Sequence, residues 1–299
     1  MRPPKRRRRR VKSGILLGLC AAAVIVMLLP LASILYECFV NGAGAINPDF
    51  FLKNPPPPCN PGVGTVCPTG GVQDAIVGTL LLVALASLIA LPIGILGGIY
   101  LSEFEDRPLA RPARFLADVM TGIPSIVIGV FVFGIFYFFA QEGWITSFSI
   151  ISGYTGAVAL AVIMIPVVAR TSEEALRLVP TSIREASLAL GIPRHRTILR
   201  IVLSAGRGGV ITGSLLAVAR AGGETAPLLL TVGFTTGTIT GLSGWTPALP
   251  VLIYQFASAQ YPNWTALAWG SALILVLMML LISVGARVAL RNRFGGRVG

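Results

Sequence analysis

An arginine and a glutamate lie four residues apart inside an otherwise apolar run, in the sequence Arg220-Ala-Gly-Gly-Glu224. A lone charge near the centre of a bilayer costs about 2.5–3.5 kcal/mol on insertion scales, so charges there usually pair or face a polar cavity. On a helix, residues spaced by four share one face. The two side chains therefore either neutralise each other and fix helix packing, or they handle a solute.

For handling a solute, the planar guanidinium of Arg220 suits an oxyanion, because it donates two parallel N–H bonds. Glu224 would hold the guanidinium or compete with the anion for it. The pair sums to zero charge, so charge alone does not decide whether an anion, a cation or a neutral solute passes.

A second set of residues has the spacing of a short helix with a partner. Ser182 and Glu185 match a capping box, and Gly191 suits the left-handed residue that ends a helix. The helix would place four side chains on one face: Ile183, Ala186, Ser187 and Leu190. Such a helix can dock in a groove of a soluble protein. It can equally lie on its own bundle at the membrane surface.

The elements that must position these residues are membrane helices. The chain of 299 residues is 54% hydrophobic and 12% charged, with a mean hydropathy of +0.79. Crossing about 30 Å of hydrocarbon takes roughly 20 helical residues. Continuous rather than alternating apolar runs favour helices over a barrel. We therefore predict an all-α membrane protein with six transmembrane helices, near 14–36, 75–101, 116–140, 153–170, 209–233 and 265–287.

The basic residues predict the orientation, because Lys and Arg stay on the cytoplasmic side of short loops. Of the 24, all but Lys53 and Arg220 fall in four segments that six spans place on one side. Both termini are therefore predicted to be cytoplasmic. The segments predicted to lie outside are 37–74, 141–152 and 234–264.

The N-terminal tail 1–13 supplies eight basic residues towards the net charge of +12. Topology explains this charge without nucleic acid, because such a tail sets orientation and contacts anionic lipid head groups. A signal peptide cleaved near Ala43-Gly44-Ala45 is the alternative. The apolar run 14–36 is longer than a usual signal core, so we interpret it as a retained helix.

The chain then divides into four parts. These are a basic cytoplasmic tail at 1–13, a first transmembrane helix with a Pro-rich external loop at 14–72, a core at 73–290 whose cytoplasmic loop covers 171–206, and a cytoplasmic tail at 291–299.

Cys59 and Cys67 lie in the Pro- and Gly-rich external loop, where an oxidising face would let them pair. Two free thiols are the alternative. No zinc site is expected, because the only histidine, His195, lies on the opposite side of the membrane.

No cofactor site or catalytic centre is expected either. A phosphate-cradling nucleotide loop needs a lysine, and the three lysines all stand in unsuitable surroundings. No Ser, His and acid set gathers on one side of the membrane. Any ATP would therefore be bound by a partner subunit.

Part of the cytoplasmic loop resembles a known motif. Glu185-Ala186-Ser187, followed by Gly191 and then Ile201 and Leu203, resembles the EAA loop of ATP-binding-cassette importer permeases. Ser187 stands where that loop often has a second alanine. Ser204 stands where it often has proline.

Two membrane segments resemble one type of importer permease in particular. The run Ala219 to Leu228 is similar to the ARAxGETAPL signature of PstA-type permeases of phosphate importers, and Thr121 to Gly129 resembles that family's third-span motif. The Ala-Pro after Glu224-Thr225 favours this type over its PstC-type partner. With the cytoplasmic loop, the resemblance covers roughly residues 75 to 287.

The resemblance implies a type I importer permease core of five helices with an extra N-terminal helix, in the cytoplasmic membrane of a prokaryote. It implies docking of a PstB-like ATP-binding dimer on Ser182, Glu185, Ala186, Ser187 and Gly191. It also implies a PstC-like partner permease and a PstS-like extracytoplasmic phosphate-binding protein.

For the solute path, the resemblance implies that Arg220 and Glu224 take part in passage of inorganic phosphate. Arg170 is a weaker candidate, since a positive-inside anchor also explains it. A permease for molybdate, sulfate or another oxyanion is the nearest alternative. A secondary carrier or channel would leave the cytoplasmic loop without a purpose. A membrane enzyme would need a cluster of His, Asp or Ser at one interface, and the sequence does not indicate one.

Overall fold

A computed structural model of the chain describes residues 4–59, 67–68, 70–145, 150–236 and 241–294. The helices in these ranges are α1 Pro4–Gly42, α2 Pro48–Leu52, α3 Gln73–Glu103, α4 Ala110–Gly122, α5 Ser125–Gln141, α6 Gly153–Arg177, α7 Thr181–Ala189, α8 Arg194–Arg196, α9 Leu203–Gly222, α10 Ala226–Thr231, α11 Leu249–Ala257 and α12 Pro262–Phe294. A π-helical turn, Thr197–Val202, joins α8 to α9, so that Arg194–Gly222 is one helical segment.

Five helical segments of the described chain are long and apolar enough to cross a membrane: Lys12–Ala45, Gln73–Glu103, Gly153–Arg177, Arg194–Gly222 and Pro262–Val288. A bent pair, α4 with α5, brings the number to six if it counts as one span. The all-helical membrane fold is thereby confirmed. Helix α1 begins within the predicted 1–13 tail, and α12 extends into the predicted 291–299 tail, whose residues from 295 onward lie outside the described ones.

The predicted third span, near 116–140, is divided between two helices, α4 and α5. The chain bends by 108° between α4 and α5. Ile123 is extended (φ −72°, ψ 133°) and so is Pro124 (φ −56°, ψ 131°). The cause is Pro124, which lacks an N–H and disfavours the helical conformation for the residue before it.

The predicted fifth helix, 209–233, differs in a similar way. Its helix starts at Arg194 and ends at Gly222, and α10 follows after a break of three residues. Pro227 lies in the first turn of α10, where a missing N–H costs no hydrogen bond. Pro92 and Pro166, by contrast, lie within continuous helices.

Helix α6 forms the centre of the bundle. Of its most apolar window 67% is buried, against 0% for α1. It packs most extensively on α3, where glycines let the two backbones approach. A Cβ on Gly98 would lie 2.5 Å from the Cβ of Ser172 and 2.7 Å from the carbonyl oxygen of Ala169.

The two ends of the bundle differ in chemistry. We call the end that holds Glu103, Arg177 and Arg194 the basic end, and the end that holds Gly42 and Gln73 the loop end. Residues 12–37 of α1 are exposed, while Cys38 and Gly42, near the loop end, are buried. The first helix is thus joined to the core at the loop end.

The segment between α1 and α3, predicted to be external, makes that junction. Phe50 is fully buried in a cluster with α11 and α12. The indole Nε1 of Trp264 donates to the carbonyl of Pro56 at 2.9 Å, and the Asn263 amide donates to that of Pro57 at 3.1 Å. The structure joins the sulfur atoms of Cys59 and Cys67 in a disulfide.

Two adjacent glycines of α3 give a matched test of the packing on α6. We predict that Gly98→Ala lowers the apparent melting temperature of the purified protein, because overpacking a tight contact costs about 1–3 kcal/mol. Gly97→Ala is the control, since its Cβ would lie 3.6 Å from that of Ala169. Equal melting temperatures for the two variants would contradict this packing.

Candidate translocation and docking sites

Arg220 and Glu224 meet at the break that follows α9. The Nε of Arg220 lies 3.6 Å from the Oε1 of Glu224. The prediction that both side chains share one helix face is wrong, because the helix ends at Gly222 and Glu224 stands outside it. The chain turns there instead, with the Glu224 N–H donating to the carbonyl of Ala221 at 3.2 Å.

The two side chains of this pair differ in their exposure to solvent. The Arg220 side chain is 54% exposed on the isolated chain, and that of Glu224 is 16% exposed. A separation of 3.6 Å exceeds the usual hydrogen-bond length. The guanidinium therefore keeps N–H donors available for another group.

The depth of this pair follows from the packing of α9 on α6. The two helices run antiparallel, with Gly213 against Thr171 and Gly209 against Ala175. Arg220 lies seven residues beyond Gly213, which is about 10 Å along a helix. It is therefore level with the middle of the apolar part of α6. A half-exposed guanidinium at this depth has to face a polar path or another subunit.

Arg170 belongs to a different place. Its Nε lies 2.9 Å from Asp118 Oδ1, and its Nη1 lies 2.6 Å from Glu173 Oε2. Because it neighbours Thr171, it is about 10 Å nearer the basic end than Arg220. The structure therefore does not bring Arg170 together with Arg220 and Glu224.

Glu173, which sequence reasoning missed, lies at the centre of a buried cluster of ion pairs. Its side chain is 2% exposed, and three arginines converge on it from α4 and α6. Arg114 approaches its Oε1 to 2.8 Å and Arg177 approaches the same oxygen to 3.1 Å, while Arg170 takes Oε2. The spacing Arg170, Glu173, Arg177 on one helix was the available signal.

Helix α7 only partly follows the predicted cytoplasmic loop. The capping box is wrong, since Pro180 precedes the first turn and no side chain caps it. The predicted end is confirmed: Gly191 has φ +75°. Its N–H donates to the carbonyl of Leu188 at 2.9 Å, and the next N–H, of Ile192, donates to that of Ser187 at 3.2 Å. These two bonds form a Schellman motif.

Only some of the docking residues predicted on α7 are exposed in the structure. Ser182, Glu185 and Ala186 are exposed. Ser187 is not, because it is 4% exposed and its hydroxyl hydrogen-bonds that of Thr197 at 2.8 Å. Ser187 therefore anchors α7 to its own chain, and a partner could meet only the exposed side.

These features define a membrane subunit with a mid-depth charged pair and a helix displayed at the basic end. The family model of binding-protein-dependent transport system inner membrane components matches residues 72–292. The chain belongs to this family of transport permeases. It is therefore a multi-pass inner membrane protein and one component of a binding-protein-dependent transport system.

Proteins of similar sequence indicate which type of permease within the family this chain resembles. The phosphate transport system permease protein PstA of Pasteurella multocida (strain Pm70) is 38% identical over 94% of this chain and 95% of the relative. The protein of the same name in Yersinia pestis is 39% identical over 94% of this chain and 90% of the relative. The resemblance to PstA-type permeases is thereby confirmed.

A solved structure agrees on the fold. A bacterial alginate ABC transporter, crystallised in complex with an alginate-bound periplasmic protein, contains a chain that superposes with a TM-score of 0.68. The match covers 96% of this chain and 97% of that chain at 13% identity. At this identity the likeness shows the fold alone.

The ion pairs around Glu173 predict how a substitution of this residue changes the stability of the protein. Glu173→Gln should lower the apparent melting temperature, because three arginines would then face a buried neutral amide. We expect a loss of about 2 kcal/mol, less than the cost of about 3–5 kcal/mol for breaking a fully buried ion pair, because the arginines retain contact with water.

The control for Glu173 is its neighbour. Glu174→Gln changes an exposed side chain that has no hydrogen-bond or ion-pair partner in the part of the chain that the structure describes. The same melting temperature in both variants would show that the arginine cluster does not depend on Glu173.

Proposed function

We propose that this chain is the permease subunit of an ATP-driven inorganic phosphate importer, forming half of the translocation path. The observation that carries the proposal is a guanidinium at mid-depth, open on one side and only loosely paired on the other. The PstA-type relatives support phosphate as the solute.

Arg220 is proposed to receive phosphate. Its planar fork matches two phosphate oxygens, and phosphate would exchange places with the carboxylate of Glu224. Glu224 would then hold the guanidinium whenever the path is empty, so that no unpaired charge stands in the apolar layer.

The path lies at an interface in this proposal. Arg220 opens onto the surface of the isolated chain, and lipid is an unfavourable neighbour for it. A second permease of the PstC type would cover this surface and supply the other wall.

The motor and the solute donor would bind at opposite ends. We infer that the basic end is cytoplasmic, since it holds the Lys- and Arg-rich segments. A PstB-like ATPase dimer would dock on the exposed side of α7, formed by Ser182, Glu185 and Ala186. A PstS-like phosphate-binding protein would deliver phosphate to the loop end. ATP would be bound and hydrolysed in the partner, and the tail 1–13 would contact anionic lipid.

The role of Arg220 is tested by phosphate uptake in vesicles that contain this chain, the partner permease, the ATPase and the binding protein. Arg220→Gln should lower ATP-dependent uptake at least about tenfold, since a hydrogen bond to a charged group contributes about 1.5–3 kcal/mol. Arg220→Lys should recover only part of it, because an ammonium lacks the fork.

Arg287→Gln, an exposed site near the end of α12, is the control for uptake. Co-purification of all four components shows that assembly is intact. Full uptake by Arg220→Gln would remove Arg220 from the path. Uptake of sulfate or molybdate in place of phosphate by the parent would reassign the substrate.

Docking on α7 gives a separate prediction. Ala186→Trp should weaken co-purification of the ATPase about tenfold, equivalent to ~1.4 kcal/mol, because the bulky ring stands on the proposed contact surface. Ala113→Trp, which changes an exposed alanine of α4 at the same end of the bundle, is the control. Normal ATPase binding by Ala186→Trp would exclude this face as the docking surface.

A further inference from the structure

One guanidinium joins three helices at the basic end. Arg184, on α7, donates to Glu103 Oε1 through Nε at 3.0 Å and through Nη2 at 2.7 Å. It also donates to the carbonyls of Leu176, at 3.0 Å, and of Val179. Glu103 is the last residue of α3, and Leu176 lies in the last turn of α6. The ends of α3 and α6 are therefore both bonded to α7.

Because of the position of Glu103, loss of its bond to Arg184 would be costly. A carboxylate at the C-terminus of a helix meets the negative end of the helix dipole, which is unfavourable without a cation. The side chains of Glu103 and Arg184 are only 7% and 19% exposed. Removing one partner of such a pair leaves the other poorly solvated and unpaired. The pair therefore resists opening when α7 is pulled.

A second tether follows on the other side of Gly191. Arg194 donates to the carbonyl of Glu103 at 2.7 Å, and its guanidinium lies 4.7 Å from the ring centroid of Phe104. Helix α7 and the segment after Gly191 are thus both tied to the end of the same helix, α3. Loss of Arg184 leaves the Arg194 tether in place, so that the effect of the ion pair alone can be tested.

The contacts continue from these helices towards the charged pair. Arg114 of α4 bonds both Glu173 of α6 and the carbonyl of Leu101 in α3. Helix α4 leads through the Pro124 bend into α5, where Gly129 abuts Pro227. Pro227 lies three residues after Glu224.

We propose that the Arg184–Glu103 pair is the positioning link that makes the docking helix move as one body with α3 and α6, so that motion of a nucleotide-driven partner reaches the membrane helices. The inference rests on the proposed function. Arg184 and Glu103 touch neither the solute nor the nucleotide in this account. Their loss uncouples ATP hydrolysis from transport and leaves docking intact.

The test uses the complete transporter in proteoliposomes. It measures the number of phosphate ions imported per ATP hydrolysed, and the stimulation of ATP hydrolysis by phosphate-loaded binding protein. Arg184→Gln and Glu103→Gln break the pair, and the double variant Glu103→Arg with Arg184→Glu reverses it. Arg111→Gln is the matched control, since it changes an exposed arginine of α4 without a partner among the described residues.

Arg184→Gln and Glu103→Gln are expected to retain the ATPase on purification. The phosphate imported per ATP should fall by about tenfold, within the range of typical coupling between sites. Stimulation by the binding protein should fall with it. The charge-reversed double variant should recover part of both, and Arg111→Gln should match the parent.

Three results would overturn the proposal. The first is a normal phosphate-to-ATP ratio in an assembled Arg184→Gln or Glu103→Gln transporter. The second is a ratio in the charge-reversed variant no better than in the single variants. The third is failure of both single variants to assemble, which would assign the pair to folding. A parent transporter that imports no phosphate would instead refute the proposed function.

Discussion

The penalty for leaving a charge or a peptide group unpaired in hydrocarbon governs where this chain breaks its helices and where it places its ion pairs. Lipid offers no hydrogen bonds, so irregular backbone at membrane depth has to be covered by protein. Both breaks are partly open on the isolated chain, because Ile123 and Pro124 are exposed at the first and Gly223 is exposed at the second. Helix α5, which follows the Pro124 bend, packs through Gly129 on Pro227, just beyond the break at Glu224. The two breaks are thus connected through α5, and by the same rule their exposed parts have to face another subunit or a polar path.

The same penalty separates the charges into two groups. Most of the described ion pairs gather at the basic end, around Glu173 and Glu103, where water and lipid head groups are within reach. One pair, Arg220 with Glu224, stands at mid-depth. The first group links helices firmly, whereas the second is long, loose and open on one side. Firm ion pairs at the basic end and a loosely held pair at mid-depth fit a subunit that is moved at its basic end and opens its translocation path in the middle of the membrane.

Patterns within one segment were readable from the sequence. Continuous apolar runs predicted the helices, and Gly191 predicted the end of the short helix, because a left-handed residue there suits glycine. Pro124 lies inside the predicted third span, but the sequence does not show how sharply the chain bends there. A slightly kinked span and a span bent by 108° give the same hydropathy pattern.

Pairings between distant segments could not be predicted. Arg114 and Glu173 are 59 residues apart, and Arg184 and Glu103 are 81 apart. No period connects such residues, and a basic residue in a cytoplasmic loop already has an explanation in topology. Ser187 was misplaced for a related reason. Helical spacing groups it with Ala186, whereas its hydroxyl finds a buried partner in Thr197 after the glycine turn.

The most direct test of a rigid connection between α7 and the membrane helices replaces the ion pair by a covalent one. Glu103 and Arg184 are both changed to cysteine in a Cys20→Ser background, and the assembled transporter is treated with a short bifunctional maleimide. The phosphate imported per ATP hydrolysed is measured before and after bridging. We expect a low ratio before bridging and recovery towards the parent ratio afterwards, because helices that move as one body tolerate a permanent link. A bridged transporter that stays uncoupled, or that stops importing phosphate, would contradict it.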